Sequence, residues 1–281
     1  MERDRAKGML WGLIVGDAFG SPIQFTTMNG HPWITEMVEC PVFNLPPGYW
    51  TDDSSMAMCV MDSFIRQGKY DLRDIGLTFV KWLNEGYLSS IDGQAFDVGA
   101  ATHNSVLAIH LSGSLVNGHE EQQGNGSIMR FAPGYLIARK LGNEKIIHEI
   151  SDLTHASEVV RKVCDDFAAV LDEHMAGKRT QFGPGKGLPR ERLDTSGWAV
   201  STLQAALWAF NSTESFEDGL IAAVNLGGDA DSIGAVFGQI AGTFYGFGAI
   251  PERWVKAVKT WDVVDALVER FLDALELKTD N

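Results

Sequence analysis

Two short stretches of this sequence concentrate oxygen-bearing side chains beyond what local structure requires. The first is Thr51-Asp52-Asp53-Ser54 and the second is Gly227-Gly228-Asp229-Ala230-Asp231-Ser232. Each stands directly before an apolar segment and so marks a loop-to-helix junction. One Asp, Ser or Thr there serves as a helix cap, and acids favour the positive end of the helix dipole. Capping, however, uses a single side chain. The surplus carboxylates repel one another and call for a counter-ion. Carboxylate and hydroxyl oxygens form a hard ligand set suited to Mg²⁺ or Mn²⁺. Neither stretch contains His or Cys, which argues against zinc. The second stretch is not an EF-hand, because Ile240 occupies the place of the closing Glu. Two such clusters suit a pair of ions about 3.5–4 Å apart, the usual spacing of two-metal hydrolytic centres.

Helices must position these groups. Ala6, Met9, Leu10, Leu13 and Ile14 follow a helical apolar period, as do Val160, Val163, Cys164, Phe167 and Leu171. Further stripes run through Ile75, Phe79, Trp82 and Leu83, entered through Asp71; through Leu203, Leu207 and Phe210; and from Val264 to Leu275. Two-residue alternation of β-branched residues is scarce, which predicts an all-α fold. Gly234, Gly238, Gly242 and Gly246 recur every four residues and so lie in one helix row. Each glycine costs about 1 kcal/mol of helix propensity against Ala, so another helix is expected to approach this row closely. Clusters of Gly, Pro and Asn mark loops at Pro41–Gly48 and Gly183–Pro189. Gly183-Pro184-Gly185-Lys186-Gly187 lacks the spacing and following Ser/Thr of a phosphate loop, and is read as a surface loop. No linker or repeat divides residues 1–281, so one compact domain is expected.

Composition narrows the function. Apolar residues make up 45%, enough for a substantial core, and the net charge of −14 disfavours general nucleic-acid binding. Cys40, Cys59 and Cys164 are odd in number and widely spaced, which fits reduced thiols in a cytoplasm. The charged start from Met1 to Lys7 and the early Asp17 argue against a secretory leader. The run from Ser232 to Ile250 is long enough to span a bilayer, but its glycines, Gln239 and Thr243 favour a buried core helix.

Five motifs, in order along nearly the whole chain, resemble those of the ADP-ribosylglycohydrolase family, the relatives of dinitrogenase reductase-activating glycohydrolase. Gly12-x-x-x-Gly16-Asp17-Ala18-x-Gly20 opens the chain. Thr51-Asp52-Asp53-Ser54 resembles the family's Thr-Asp-Asp-Thr. Gly124-Asn125-Gly126-Ser127-x-Met129-Arg130 is similar to its central substrate loop. Thr154-His155 follows, and Gly228-Asp229-Ala230-Asp231-Ser232-x-Gly234-Ala235 resembles its C-terminal metal motif.

The resemblance implies a single orthogonal all-α domain with a dinuclear Mg²⁺ (or Mn²⁺) centre. Carried over position by position, Thr51, Asp52, Asp53, Asp229, Asp231 and Ser232 would be metal ligands. Gly124, Asn125, Gly126 and Ser127 would cradle the diphosphate, with Met129 beside them; glycine backbone can approach an anion closely. His155 would contact phosphate or ribose. Asp97, in Phe96-Asp97-Val98-Gly99, would stand with Gly99 near the scissile ribose, and Trp198 would flank the ligand. Asp17 is expected to be a hydrogen-bonded support, since a buried carboxylate needs partners. The sequence also departs from the family. Ser54 and Ser232 replace Thr, Gln24 stands where Glu is common, and Ala100 and Ala101 replace more polar residues. An amide at position 24 can neither carry charge nor act as a base.

The implied reaction is metal-assisted hydrolysis of the glycosidic bond between ADP-ribose and a modified protein side chain, nucleobase or small molecule. Asp97, or a metal-bound carboxylate among Asp52, Asp53 and Asp231, would accept the proton. The expected partners are an ADP-ribosylated target and free ADP-ribose as product, with a monomeric enzyme and no membrane. Two other readings share some of these residues. One is a dinuclear phosphoesterase acting on a nucleotide. The other is a non-catalytic ADP-ribose binder or immunity protein, which would have little use for so many repelling carboxylates.

Overall fold

A computed structural model describes residues 2–183 and 187–276. Among these residues the chain is all-α, and its only β pairings are isolated bridges of Cys40 with Leu45 and of Gly124 with Trp198. The first six helices are α1 (Arg3–Gly20), α2 (Asp52–Gln67), α3 (Leu72–Glu85), α4 (Ala100–Ser112), α5 (Phe131–Leu141) and α6 (Lys145–Asp152). The rest are α7 (Glu158–Met175), α8 (Ala199–Ser212), α9 (Phe216–Val224), α10 (Ala230–Tyr245), α11 (Glu252–Ala257) and α12 (Trp261–Glu276). The Asp71 carboxylate caps α3 by accepting from Asp74 N at 3.0 Å. Of the Gly183–Gly187 stretch, residues 184–186 lie outside the described residues.

Helices α1 and α10 form the centre. Every residue of α1 from Gly8 to Gly20 is buried, and so is every residue of α10 from Ala230 to Thr243. A helix buried all round needs neighbours on every side. Helices α7, α8 and α9 pack on α10, while α2, α5 and α12 pack on α1. No helix among the described residues is long and apolar enough to cross a membrane. The uncharged run is a core helix ending at Tyr245, and the chain then turns through Gly246 (φ 84°).

The partner of the glycine row is α1, which carries a row of its own. A Cβ on Gly12 would stand 2.0 Å from the Gly238 carbonyl oxygen, and one on Gly238 only 1.9 Å from that of Gly12. Gly16 faces Gly234, Gly8 faces Gly242, and Gly20 faces Ala230, all at 2.4 Å or less by the same measure. Gly246 caps the row and is not one of its helical rungs. The pairing runs antiparallel, so the end of α1, with Asp17, meets the start of α10, with Asp231.

Candidate active site

Asp17 organises the start of α2. Its carboxylate accepts from Thr51 N (2.9 Å), Thr51 Oγ1 (2.9 Å), Ser54 N (3.0 Å) and Ser54 Oγ (2.6 Å). It thus takes the place of a cap from Thr51, whose side chain makes no capping bond. Burial raises the Asp17 pKa to about 6 despite these four donors. Asp17 is the hydrogen-bonded support that burial of a carboxylate demands.

With α2 so anchored, Asp52 and Asp53 face a cavity of about 370 Å³ that also takes in Asp97, Asp229 and Asp231. The turn before α10 that delivers the last two is tight. Gly227 and Gly228 both have positive φ (69° and 68°), and a Cβ on Gly228 would lie 2.2 Å from Thr195 O. Burial first, and neighbouring carboxylates second, push Asp52, Asp53 and Asp231 well above the usual carboxylate range. Burial also raises Asp97 and Asp229. Asp231 lies against both of those carboxyls. Asp53 Oδ1 accepts from Ser232 Oγ at 3.3 Å. Asp53 Oδ2 and Asp231 Oδ1 are buried without a hydrogen-bond partner among the described residues. Such orphaned carboxyl oxygens are rare and call for a cation or proton. As they stand, no three His, Cys, Asp or Glu side chains among the described residues are gathered closely enough to enclose an ion.

The cavity's other walls come from separate segments. Gln24 Nε2 donates to Asp97 Oδ2 at 2.7 Å, and Asp97 has a positive φ (58°) that a non-glycine residue seldom adopts. Gly124, Asn125, Gly126, Met129, His155, Gly99 and Ser232 also line the space. Asn125 Nδ2 donates to Asp229 Oδ2 (2.5 Å) and Thr202 Oγ1 (3.0 Å), tying the glycine loop to the acidic cluster. Three of the sequence-derived residues do not face the cavity. The Thr51 hydroxyl points to Asp17 and lies 3.5 Å from Asp231 Oδ2. The Ser127 hydroxyl pairs with Ser151 Oγ at 2.7 Å. Trp198 stands half-exposed, its Nε1 donating to Gln123 Oε1 at 3.1 Å.

Further contributors were given no role in the site from sequence, although Val98 and Arg130 lie within its motifs. Phe25, exposed and at φ 62°, lines the cavity mouth beside Gly197. Val98 extends the same wall. Arg130 is fully buried; its Nη1 donates to Gly126 O and its Nη2 to Thr154 Oγ1 at 2.6 Å. Gln239 accepts from Ala132 N (2.8 Å) and donates to Ile128 O (3.0 Å) and Met129 O (3.1 Å), fastening the loop's exit to α10. The signal for Arg130 was a lone cation in the apolar run Ile128-Met129-Arg130-Phe131-Ala132. Gln239 gave a similar signal, as a lone amide in an uncharged helix.

An all-helical shell surrounds a pocket with five carboxylates and a glycine loop, and the chain belongs to the ADP-ribosylglycohydrolase family, a class of glycosidic-bond hydrolases, whose pattern it matches over residues 1–281. It is 33% identical to ADP-ribosylarginine hydrolase Tri1 of Pseudomonas putida (strain GB-1), over 96% of this chain and 78% of that protein. The Tri1 protein of Serratia proteamaculans (strain 568) is 32% identical over 95% of this chain and 78% of its own length. ADP-ribosyl-[dinitrogen reductase] glycohydrolase of Rhodospirillum rubrum is 27% identical over 97% and 95%. A solved chain from an ADP-ribosylglycohydrolase-related protein complex superposes with a TM-score of 0.80 at 31% identity, covering 97% of this chain and 98% of that one.

Proposed function

We propose that this protein removes ADP-ribose from arginine side chains of modified proteins, using divalent Mg²⁺ or Mn²⁺. The observation that carries the metal is the pair of orphaned buried oxygens, Asp53 Oδ2 and Asp231 Oδ1, within a cluster of all-oxygen donors. Asp52, Asp53, Asp229 and Asp231 would hold the ions, helped by Ser232 and, after a turn of its hydroxyl away from Asp17, Thr51. When bound, such ions orient ribose hydroxyls and lower the pKa of a coordinated water. Arginine as the target is supported by the two relatives named for that linkage, each above 30% identity.

The chain's own residues account for the remaining steps. The Gly124–Gly126 backbone and His155 hold the diphosphate. Asp97, fixed by the Gln24 amide, faces the ribose C1″ and accepts the proton of the attacking water. That water's oxygen bonds to C1″ as the C1″–N bond to the guanidine breaks, and the proton passes to the departing nitrogen. The surrounding carboxylates stabilise the positive charge that develops on the ribose ring.

The test is product analysis with an ADP-ribosylarginine protein, a serine-linked counterpart and a nucleotide phosphoester, each with Mg²⁺ and with chelator. The expected result is free ADP-ribose from the arginine substrate, lost on chelation. Release of phosphate in place of ADP-ribose would overturn the reaction class. Turnover that survives complete metal removal would overturn the metal.

A further inference from the structure

Beneath the glycine loop, buried Arg130, Thr154 and His155 make contact in series. Arg130 Nη2 donates to Thr154 Oγ1 at 2.6 Å, and that same oxygen lies 2.8 Å from His155 Nδ1. Arginine has five N–H donors and no acceptor, so the Thr154 oxygen must be the acceptor towards Arg130. Its one proton then has a single partner, His155 Nδ1. The opposite arrangement, with Nδ1 donating, leaves a hydroxyl proton buried and unpaired, at a cost of about 1–3 kcal/mol. A doubly protonated ring has the same defect. We infer that Arg130 and Thr154 lock His155 as the neutral tautomer with its proton on Nε2, so that the ring offers the cavity a hydrogen-bond donor and not a base.

The geometry on the far side of the ring agrees. Nε2 lies 3.4 Å from where a Cβ of Gly124 would stand and 3.0 Å from that of Gly126, so it sits against the loop and the cavity that both line. Burial, with the nearby Arg130 charge, depresses the His155 pKa to about 3. Arg130 and Thr154 are positioning residues, acting on the ligand through His155. That the ligand is the ADP-ribose diphosphate rests on the proposed function, whereas the tautomer belongs to the protein alone. The chain carries its own contrast. His174 Nδ1 is 3.1 Å from Ile240 O, which can only accept, and Nε2 accepts from Thr180 N at 3.3 Å. His174 is therefore the opposite, Nδ1–H tautomer.

Long-range ¹H–¹⁵N correlation spectra of the full chain with labelled histidine, at neutral pH, read both rings, with His155→Gln to assign. The expected result is an Nε2–H pattern for His155 and an Nδ1–H pattern for His174. In Thr154→Val the His155 signals shift towards a mixture of tautomers, while those of His174 stay unchanged and report an intact fold. The calorimetric Kd for ADP-ribose rises about tenfold, the order of one lost hydrogen bond. Thr154→Ser restores both readouts. An Nδ1–H or doubly protonated His155 in the parent overturns the assignment, as does an unchanged His155 pattern in Thr154→Val. An altered tautomer with unchanged affinity overturns the donor role. A parent that shows the Nε2–H pattern yet binds no ADP-ribose upholds the tautomer and counts against the hydrolase reading.

Discussion

Replacing Gly238 by Ala tests whether the glycine row is a structural necessity. On an ordinary helix the change stabilises, by about 1 kcal/mol of propensity. Here the new methyl would stand 1.9 Å from the Gly12 carbonyl oxygen, about 1.5 Å inside an ordinary 3.4 Å contact. The obstructing atom is mid-helix backbone, so no side chain can swing aside. Helix α10 must move off α1 and loosen the rungs at Gly8–Gly242 and Gly16–Gly234 with it. Overpacking costs about 1–3 kcal/mol where side chains can adjust, and more where they cannot. A net loss of about 3 kcal/mol is therefore expected, or roughly 10 °C in Tm at about 2–4 °C per kcal/mol for a chain of this order. Urea unfolding followed by circular dichroism measures it, with Gly248→Ala as control, since a Cβ there meets nothing within 4 Å. A Gly238→Ala protein within about 0.5 kcal/mol of the parent, the usual range of neutral surface changes, would refute the reasoning.

Asp231→Asn removes one charge from a cluster in which burial and repulsion already disfavour ionisation. It should abolish turnover while leaving the metal-free protein at least as stable, read by product release and thermal melting; near-normal turnover would sink the metal assignment. Gln24→Glu replaces the N–H that holds Asp97 by a repelling carboxylate. It should lower kcat/KM by about 10- to 100-fold, the size of a lost charged hydrogen bond, and shift the Mg²⁺ titration of activity. Identical kcat/KM and Mg²⁺ curves would place position 24 outside the reacting centre. His174, with its pKa depressed to about 4 by burial, should make the fold weaken in acid. The unfolded chain takes up this proton near pH 6.5 and the folded chain only near 4, so its contribution is full above 6.5 and fades as pH falls between the two. At pH 5 the stability slope should exceed that of His174→Gln by about 1 kcal/mol per pH unit; equal slopes would contradict the assignment.

Asp52, Asp53, Asp229 and Asp231 were legible because each of their clusters is local in sequence, and its excess over capping is visible without a structure, whereas Asp97 stands alone in sequence and was suggested only by the family resemblance. The helices were legible for the same reason, as in the stripe of α7 from Val160 to Leu171. Side-chain direction was not. Thr51 and Ser127 sit within recognisable motifs, yet their hydroxyls turn to Asp17 and Ser151, partners 34 and 24 residues away. The mate of the α10 glycine row was within reach, since Gly8, Gly12, Gly16 and Gly20 repeat with the same period. Two matching rows in one chain signal mutual packing. Arg130 and Gln239 could be suspected as buried polar groups, but what they hold depends on backbone carbonyls that only the tertiary fold brings near.

The antiparallel pairing of α1 with α10 also sets a timetable for synthesis. Helix α1 is complete at Gly20, but the surface that covers its glycines begins at Ala230. At about 5–20 residues per second, the ribosome needs roughly 10 to 45 s to make the intervening chain. Throughout that interval the largely apolar stretch Gly8–Gly20 waits without its mate, open to chaperones and to other nascent chains. Asp17 and Asp231 cannot meet earlier, so the acidic pocket closes only in the last stage of translation. A ribosome stalled before Ala230 should hold α1 to α9 without the closed pocket.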